Sequence, residues 1–238
     1  MKKILLTLIM LVSLTNAADV YTTFIVKADK DANLAFIASG IVNKIYVTVG
    51  SKVKKGEILA ELQNSDIKAM LEVAKTTYKY AQKDYERQLK IKSLIDEAKF
   101  DAVANKYESA KNQLAYQQAL YNKTFLKAPF TGVIYDKEIE IGDAVSGMML
   151  RTAFKIQSGS KRKLLLSFDQ KNRKLVKVGD LFQYKLDGDT KKYSAKISKV
   201  YPRANLQDRK INAEVKADNF LPGLFGDGYI HTQTQAKK

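Results

Sequence analysis

One short β-pattern occurs twice in this chain. "GIVNKIYVTVGSKVKKGEIL" covers residues 40–59, and "GVIYDKEIEIGDAVSGMML" covers residues 132–150. Gly40 and Gly50 are ten residues apart, as are Gly132 and Gly142, and a valine follows three residues later in both, Val53 and Val145. The copies are offset by 92 residues (132 minus 40). Gly56 and Leu59 close the first copy. Gly147 and Leu150 close the second, which on this alignment is one residue shorter. Ile41, Val42, Ile45, Val47 and Val49 are β-formers that partly alternate with polar residues, as are Val133, Ile134, Ile139 and Ile141. Gly50, Gly56, Gly142 and Gly147 read as turn residues, where glycine accepts positive φ without steric cost. Each copy is a small meander with one apolar face. Neither half can bury that face alone, so the two pack together as a flattened sandwich.

Between the copies the period changes from two to three and a half. Ile67, Leu71, Ala74, Tyr78, Ala81 and Tyr85 are spaced 4, 3, 4, 3, 4. So are Val103, Tyr107, Ala110, Leu114, Gln117 and Tyr121. These are the a and d positions of heptads. No glycine or proline interrupts residues 66–122, and Lys75, Lys79, Lys83, Asp84, Glu86, Glu108 and Lys111 fall on outward positions. Two antiparallel helices of roughly 25 residues, each about 40 Å long, follow from this spacing. Their turn lies in "KIKSLIDEAKF", residues 90–100. Ile95 keeps the first helix's phase, while Asp96 and Ser93 are rival N-caps for the second helix. An antiparallel hairpin leaves and returns at one place, which lets the two β-halves meet.

The remaining features set limits. Lys2 and Lys3, an apolar run from Ile4 to Leu14 and the small residues before Ala17 read as an export signal over residues 1–17. An apolar run of about 11 residues is short of the ~20 that span a bilayer. No cysteine follows it, so there is no lipid attachment site. The absence of cysteine also excludes disulfides, thiol catalysis and thiolate metal sites. The net charge of +16 falls to +14 without Lys2 and Lys3. In an exported chain this favours anionic membrane surface or acidic protein partners over nucleic acid, beside the plainer reading of solvated lysine-rich faces. Enzyme chemistry lacks its residues. His231 is the sole histidine, and there is no nucleophile elbow, HExxH or phosphate-binding glycine loop. No catalytic residue, cofactor or metal site is assigned. Met148 and Met149 are the only paired thioethers; on a strand they would point to opposite faces.

The order of half-motif, helical hairpin, then "LKAPFTGVI" (residues 126–134) opening a second half resembles the periplasmic adaptors. These are the membrane fusion proteins of the HlyD-like family, found in tripartite efflux and secretion systems. "YPRANLQDRKINAEVKADNFLPGLFGDGYI", residues 201–230, is similar to the adaptors' β-barrel ending, with Leu221-Pro222-Gly223-Leu224 standing at their "LPGM" stretch. The resemblance covers nearly all of the chain after the signal. It implies an α+β, mainly β fold. A split lipoyl-like (barrel-sandwich hybrid) domain, 32–65 plus 126–158, carries an inserted coiled-coil hairpin, 66–125. A small β-barrel, 19–31 plus 159–238, follows. In that barrel "KLLLSF" reads as a strand, "DQKNRKLV" as a short helix, and Asp187-Gly188 as a turn between strands. A membrane-proximal domain is expected to be absent or vestigial.

The resemblance also implies a non-enzymatic role in the periplasm, peripheral to the inner membrane. The partners would be an inner-membrane transporter of the RND type, an outer-membrane channel, and further copies of the chain in a trimeric or hexameric ring. An ABC-type exporter and a structural envelope protein without a transporter are the alternatives. Many adaptors carry at the hairpin tip an arginine, a leucine four residues on and a serine seven further. Here Leu89 is followed by Asp96 at the serine's place, Tyr85 stands at the arginine's, and Arg87 is displaced by two. Arg87, Leu89, Ser93 and Asp96 are the tip candidates. Lipoyl and biotinyl carrier domains share the half-motifs and would place their lysine near Lys68. A helical arm replaces the carrier hairpin here, and export separates the chain from cytosolic ligases.

Overall fold

The computed structural model describes residues 18–232, so the expected export signal lies outside the described residues. The chain divides into two compact units. One is built from the segments up to Asp29 and from Ser160 onward, the other from Lys30–Gly159.

The Lys30–Gly159 unit holds two four-stranded sheets. The first half of the chain supplies β2 (Asp31–Leu34), β3 (Gly40–Ile45), β4 (Lys52–Val53) and β5 (Ile58–Leu62). The second supplies β6 (Phe125–Lys127), β7 (Gly132–Lys137), β8 (Ala144–Val145) and β9 (Phe154–Ser158). The sheets run β2-β9-β7-β4 and β6-β5-β3-β8. Neither sheet belongs to one half: each takes its edge strands from the other copy. Gly40 pairs with Val145, and Gly132 with Val53. The hydrogen bonds repeat under the same offset. Gly50 N donates to Ile134 O at 2.8 Å, and Gly142 N to Val42 O at 2.9 Å. Thr48 N donates to Ser51 Oγ at 3.0 Å, and Glu140 N to Asp143 Oδ2 at 3.1 Å.

The core between the sheets is filled by reciprocal pairs. Val42 and Ile134 are equivalent and buried. Phe36 is matched by Ala128, and Ala60 by Phe154, all four buried. At these two sites a large residue in one copy is matched by a small one in the other.

The symmetry shifts after Val53, and here the closing alignment of the sequence is overturned. Tyr46 N donates to Leu59 O, whereas Glu138 N donates to Ala153 O, and Val42 pairs with Leu62 where Ile134 pairs with Ile156. The offset is now 94 (153 minus 59), so the second copy is two residues longer, not one shorter. Gly56 turns with φ +85° into β5, as Gly50 and Gly142 turn with φ +90° and +96°. Gly147 is not their counterpart, since its φ is not positive. A Cβ there would lie 2.3 Å from Ile37 O, so it is a site of close backbone approach. The following Met148 and Met149 are exposed in a loop rather than on a strand, so strand alternation does not apply to them.

Helices α1 (Ser65–Lys90) and α2 (Glu97–Lys123) are inserted between β5 and β6. Those two strands pair with each other, and Leu62 N donates to Thr124 O at 2.9 Å, so the arm starts and ends at one point. Thr124 is buried there and accepts from Asn64 Nδ2 at 3.1 Å.

The second unit is a closed six-stranded barrel. Its elements are β1 (Ala18–Ala28), β10 (Lys161–Asp169), β11 (Leu181–Leu186), β12 (Tyr193–Ala204), β13 (Lys210–Asp218) and β14 (Phe225–Thr232). They close in the order β1-β10-β13-β12-β11-β14. The stretch read as a short helix forms only a 3₁₀ turn, Gln170–Asn172, with Asp169 accepting from Lys171 N. Period-two alternation puts Val20, Phe24 and Val26 inside with Leu164, Leu166 and Phe168. Phe24 meets Phe182 and Tyr184 edge-on, at 5.8 and 5.3 Å between ring centroids. Gly226 makes room for it, because a Cβ there would lie 2.5 Å from the Phe24 ring. In the Leu221–Leu224 turn, Gly223 has φ +94° and its N–H donates to Val26 O at 2.9 Å, which ties the turn to β1.

Outside the barrel, Glu214 accepts from Tyr201 Oη at 2.6 Å and Lys163 Nζ at 3.0 Å. Its partial burial pushes the carboxyl pKa up, but the two hydrogen bonds outweigh burial and hold it below its ordinary value. A depressed carboxylate contributes stability above its unfolded pKa, near 4.5, and loses it as pH falls through the folded value. The urea midpoint of the barrel is therefore expected to fall below that pH, and Glu214→Gln to flatten the fall.

The glycines give a second test. Gly142→Val meets no neighbour but is strained at φ +96°, so urea unfolding is expected to show a loss of about 1–3 kcal/mol. Gly132→Ala should cost more, because its Cβ would lie 2.3 Å from the Gln157 carbonyl oxygen of the paired strand.

Candidate functional site: the helical hairpin and its tip

All twelve heptad positions read from the sequence are buried or half-buried between α1 and α2. Alanines 74, 81 and 110 are buried and let the helices approach. Aromatic rings fill the outer levels. Tyr85 stacks on Tyr107 with centroids 4.8 Å apart and meets Phe100 at 5.7 Å, while Tyr78 meets Tyr107 at 5.7 Å. The hydrogen bond with Tyr78, then burial, push the Tyr107 phenol up to about 12. Phe100 continues the second helix's heptad by one position toward the tip and is buried. Lys92 closes the end of the seam, its ammonium 4.6 Å from the Phe100 ring centroid.

The helices are joined by a 3₁₀ turn, Lys92–Leu94. Ile95 stands after it in extended conformation and so does not continue α1, whose helical phase ends at Lys90. Asp96 is the N-cap of α2, accepting from Lys99 N at 3.3 Å, while Ser93 lies exposed within the 3₁₀ turn. Arg87 and Leu89 sit on the last turn of α1. The Arg87 guanidinium bonds the Asp84 carboxylate one turn back and holds it below the usual carboxylate range. Leu89 is half exposed.

The tip also presents Ile91 and Leu94, the latter 82% exposed. The sequence reading missed both. Their signal was available: two large apolar residues in a turn, out of phase with the seam, have no partner inside the hairpin. Leu89, Ile91 and Leu94 make an apolar tip, with basic Arg87, Lys90, Lys92 and Lys99 and acidic Glu86, Asp96 and Glu97 close by in sequence.

Elsewhere little suggests chemistry. His231 Nδ1 lies 2.6 Å from Asp19 Oδ1 across the β1–β14 ladder, a clasp on the barrel wall. No group of metal-ligating side chains occurs among the described residues, and no described helix is long and apolar enough to cross a membrane. Lys68 lies on the first turns of α1 rather than on a hairpin between two strands.

The pairing of the helices can be checked directly, since the chain has no cysteine. Cysteines replacing Tyr85 and Val103 are expected to form a disulfide, which requires Cα atoms within about 7 Å. Cysteines replacing Leu71 and Val103 stand at different levels and should not. Efficient bridging of the second pair would contradict the antiparallel register.

Comparison with known proteins gives this architecture its place. Residues 31–156, more than half of the chain, match the model of the CzcB-like barrel-sandwich hybrid domain. The cobalt-zinc-cadmium resistance protein CzcB of Cupriavidus metallidurans is 25% identical over 218 residues, covering 83% of this chain and 42% of that protein. The chain spans about half the length of the curated relatives it matches. Among solved structures, a MacA–MexA chimera carrying the Pseudomonas aeruginosa MexA α-hairpin superposes with a TM-score of 0.83 at 20% identity, covering 91% of this chain and 83% of that one. MacA of Actinobacillus actinomycetemcomitans gives 0.71 at 21% identity, covering 91% and 79%. With its exchanged β-halves and the arm between them, the chain belongs to the family of the CzcB-like barrel-sandwich hybrid domain.

Proposed function

We propose that this chain is a periplasmic adaptor that links an inner-membrane efflux transporter to an outer-membrane channel and helps seal the conduit between them. The observation that carries this reading is the hairpin. Helix α1 has 26 residues, about 39 Å at 1.5 Å per residue, and the arm buries its own seam and ends in exposed Leu89, Ile91 and Leu94. A self-sufficient arm with an apolar end has the reach and the surface to engage a second protein. Clustered apolar side chains kept at an exposed end mark an interaction site. In this reading the tip meets the channel, with Arg87, Leu89, Ser93 and Asp96 among its contacts, and the barrel meets the transporter. The transporter is taken as RND-type, with an ABC-type exporter as the alternative; co-purification separates the two. The CzcB relative bears cobalt, zinc and cadmium in its name. Divalent cations are accordingly the first cargo class to test, by the metal tolerance of a deletion strain.

Excision of the arm tests the mechanism. Replacing residues 68–121 by a short Gly-Asn turn joins β5 to β6, strands that already pair. Closing a shorter loop costs slightly less entropy. The product is expected to stay soluble and β-rich and to bind the transporter. It should lose the channel in pull-downs, and export should stop. Leu94→Asp should weaken channel capture without changing helicity, because the side chain is exposed. Normal export by the excised protein would sink the adaptor reading.

A further inference from the structure

The loop after β8 departs from its pseudo-symmetric counterpart. Gly147 N donates to Ser39 Oγ at 3.0 Å, as Lys55 N does to Thr131 Oγ1 at 3.1 Å, so the two copies still match there. They match again at Ala153 and Leu59, whose carbonyls accept from Glu138 N and Tyr46 N. Between these points the first copy has Gly56, Glu57 and Ile58, whereas the second has Met148, Met149, Leu150, Arg151 and Thr152. The longer loop is pinned at both ends. A Cβ on Gly147 would lie 2.3 Å from Ile37 O, and Ala153 N donates to Leu34 O at 2.6 Å. Phe36 and Ala153 beside these contacts are buried in the core, while Ile37, Met148, Met149 and Leu150 are all exposed. Residues 35–41 carry no charge, and Arg151 is the one charged residue in 144–153. Its guanidinium donates to Glu138 O at 3.0 Å. The result is an apolar patch that holds two neighbouring thioethers.

We propose that Met148 and Met149 form a reversible oxidation site, at which peroxide turns this apolar patch polar while the fold stays intact. Sulfur chemistry in this chain is confined to thioethers, since there is no cysteine. Two of the five methionines, Met1 and Met10, fall in the expected export signal, which leaves Met70, Met148 and Met149. Oxidation follows exposure. Met148 and Met149 are 95% and 79% exposed, whereas Met70 is 59% exposed and lines the groove between α1 and α2 with Val73, Ala110 and Gln113. In the reaction the sulfur lone pair attacks one oxygen of hydrogen peroxide. The S–O bond forms and the O–O bond breaks. The second oxygen leaves as water with both protons, so sulfur loses two electrons and peroxide gains them. A flexible apolar side chain thereby becomes a polar one with a hydrogen-bond acceptor. Neither methionine belongs to the core cluster of this unit, so the change is confined to the surface. Methionine sulfoxide reductases reverse it, one enzyme for each sulfoxide epimer, with a thiol as the electron donor. This site stands apart from the adaptor reading, and its test needs neither transporter nor channel.

The full exported chain, purified, is treated with dilute hydrogen peroxide, sampled over time and mapped by tryptic mass spectrometry. Cleavage after Lys137 and Arg151 isolates Met148 and Met149 on one peptide, apart from Met70. That peptide is expected to gain oxygen at least about twofold faster than the Met70 peptide. Retention on a hydrophobic-interaction column should fall as it does so, with the urea midpoint and the circular dichroism unchanged. Treatment with both reductases and dithiothreitol should restore the retention. A Met148→Leu, Met149→Leu double variant keeps the patch apolar, and its retention should not respond to peroxide. Oxidation of Met70 at an equal or greater rate overturns the proposal. So does a column retention that is indifferent to the sulfoxides, or one that the reductases fail to restore. A urea midpoint that falls as Met148 and Met149 are oxidised would show damage to the fold and overturn it too.

Discussion

The reciprocal exchange of edge strands between the two β-halves is the contact on which the rest of this unit depends. Gly40 with Val145 and Gly132 with Val53 are one interaction made twice. Each sheet needs a strand from the other copy to satisfy its outer backbone groups, and unpaired groups of a sheet that is otherwise buried are costly. The exchange also fixes register. A slip by one residue would turn Val42 and Ile134 out of the core. Phe36 with Ala128 and Ala60 with Phe154 then set large against small at equivalent sites of that core.

Given that framework, the inserted arm needs no support from the β-core beyond its base. Its seam is buried within itself, and its anchorage is the pairing of β5 with β6 and the buried Thr124. What remains on the outside includes the apolar tip. The β-unit holds the arm at its base through the pairing of β5 with β6.

Much of this could be read from the chain. The spacings of Gly50, Gly132 and Gly142 reflect real geometry, because Gly50 and Gly142 hold positive φ and Gly132 sits where the backbone of the paired strand comes close. The heptads were legible because small and aromatic residues alternate without a helix breaker. The alignment of Gly147 with Gly56 failed because a glycine required by close approach looks the same in sequence as one required by φ. Strand exchange was not legible either, since period-two alternation says which face is buried but not which strand lies alongside. At the tip, attention to a family spacing favoured Ser93 and Asp96, one exposed in a 3₁₀ turn and the other a helix cap. The exposed Ile91 and Leu94 went unnoticed because no periodicity contains them.

The return of the arm to its starting point bears on how the chain reaches this structure at all. The two β-halves are far apart in sequence, and pairing such distant strands is the slow kind of step, since closure entropy is lost before any contact compensates it. The hairpin forms from local contacts, on the faster time scale of helices and their turns. Once zipped, it holds the ends of β5 and β6 side by side, so the long intervening segment counts as a short one. The arm that gives the finished protein its reach is thus also the device that shortens the search for its core.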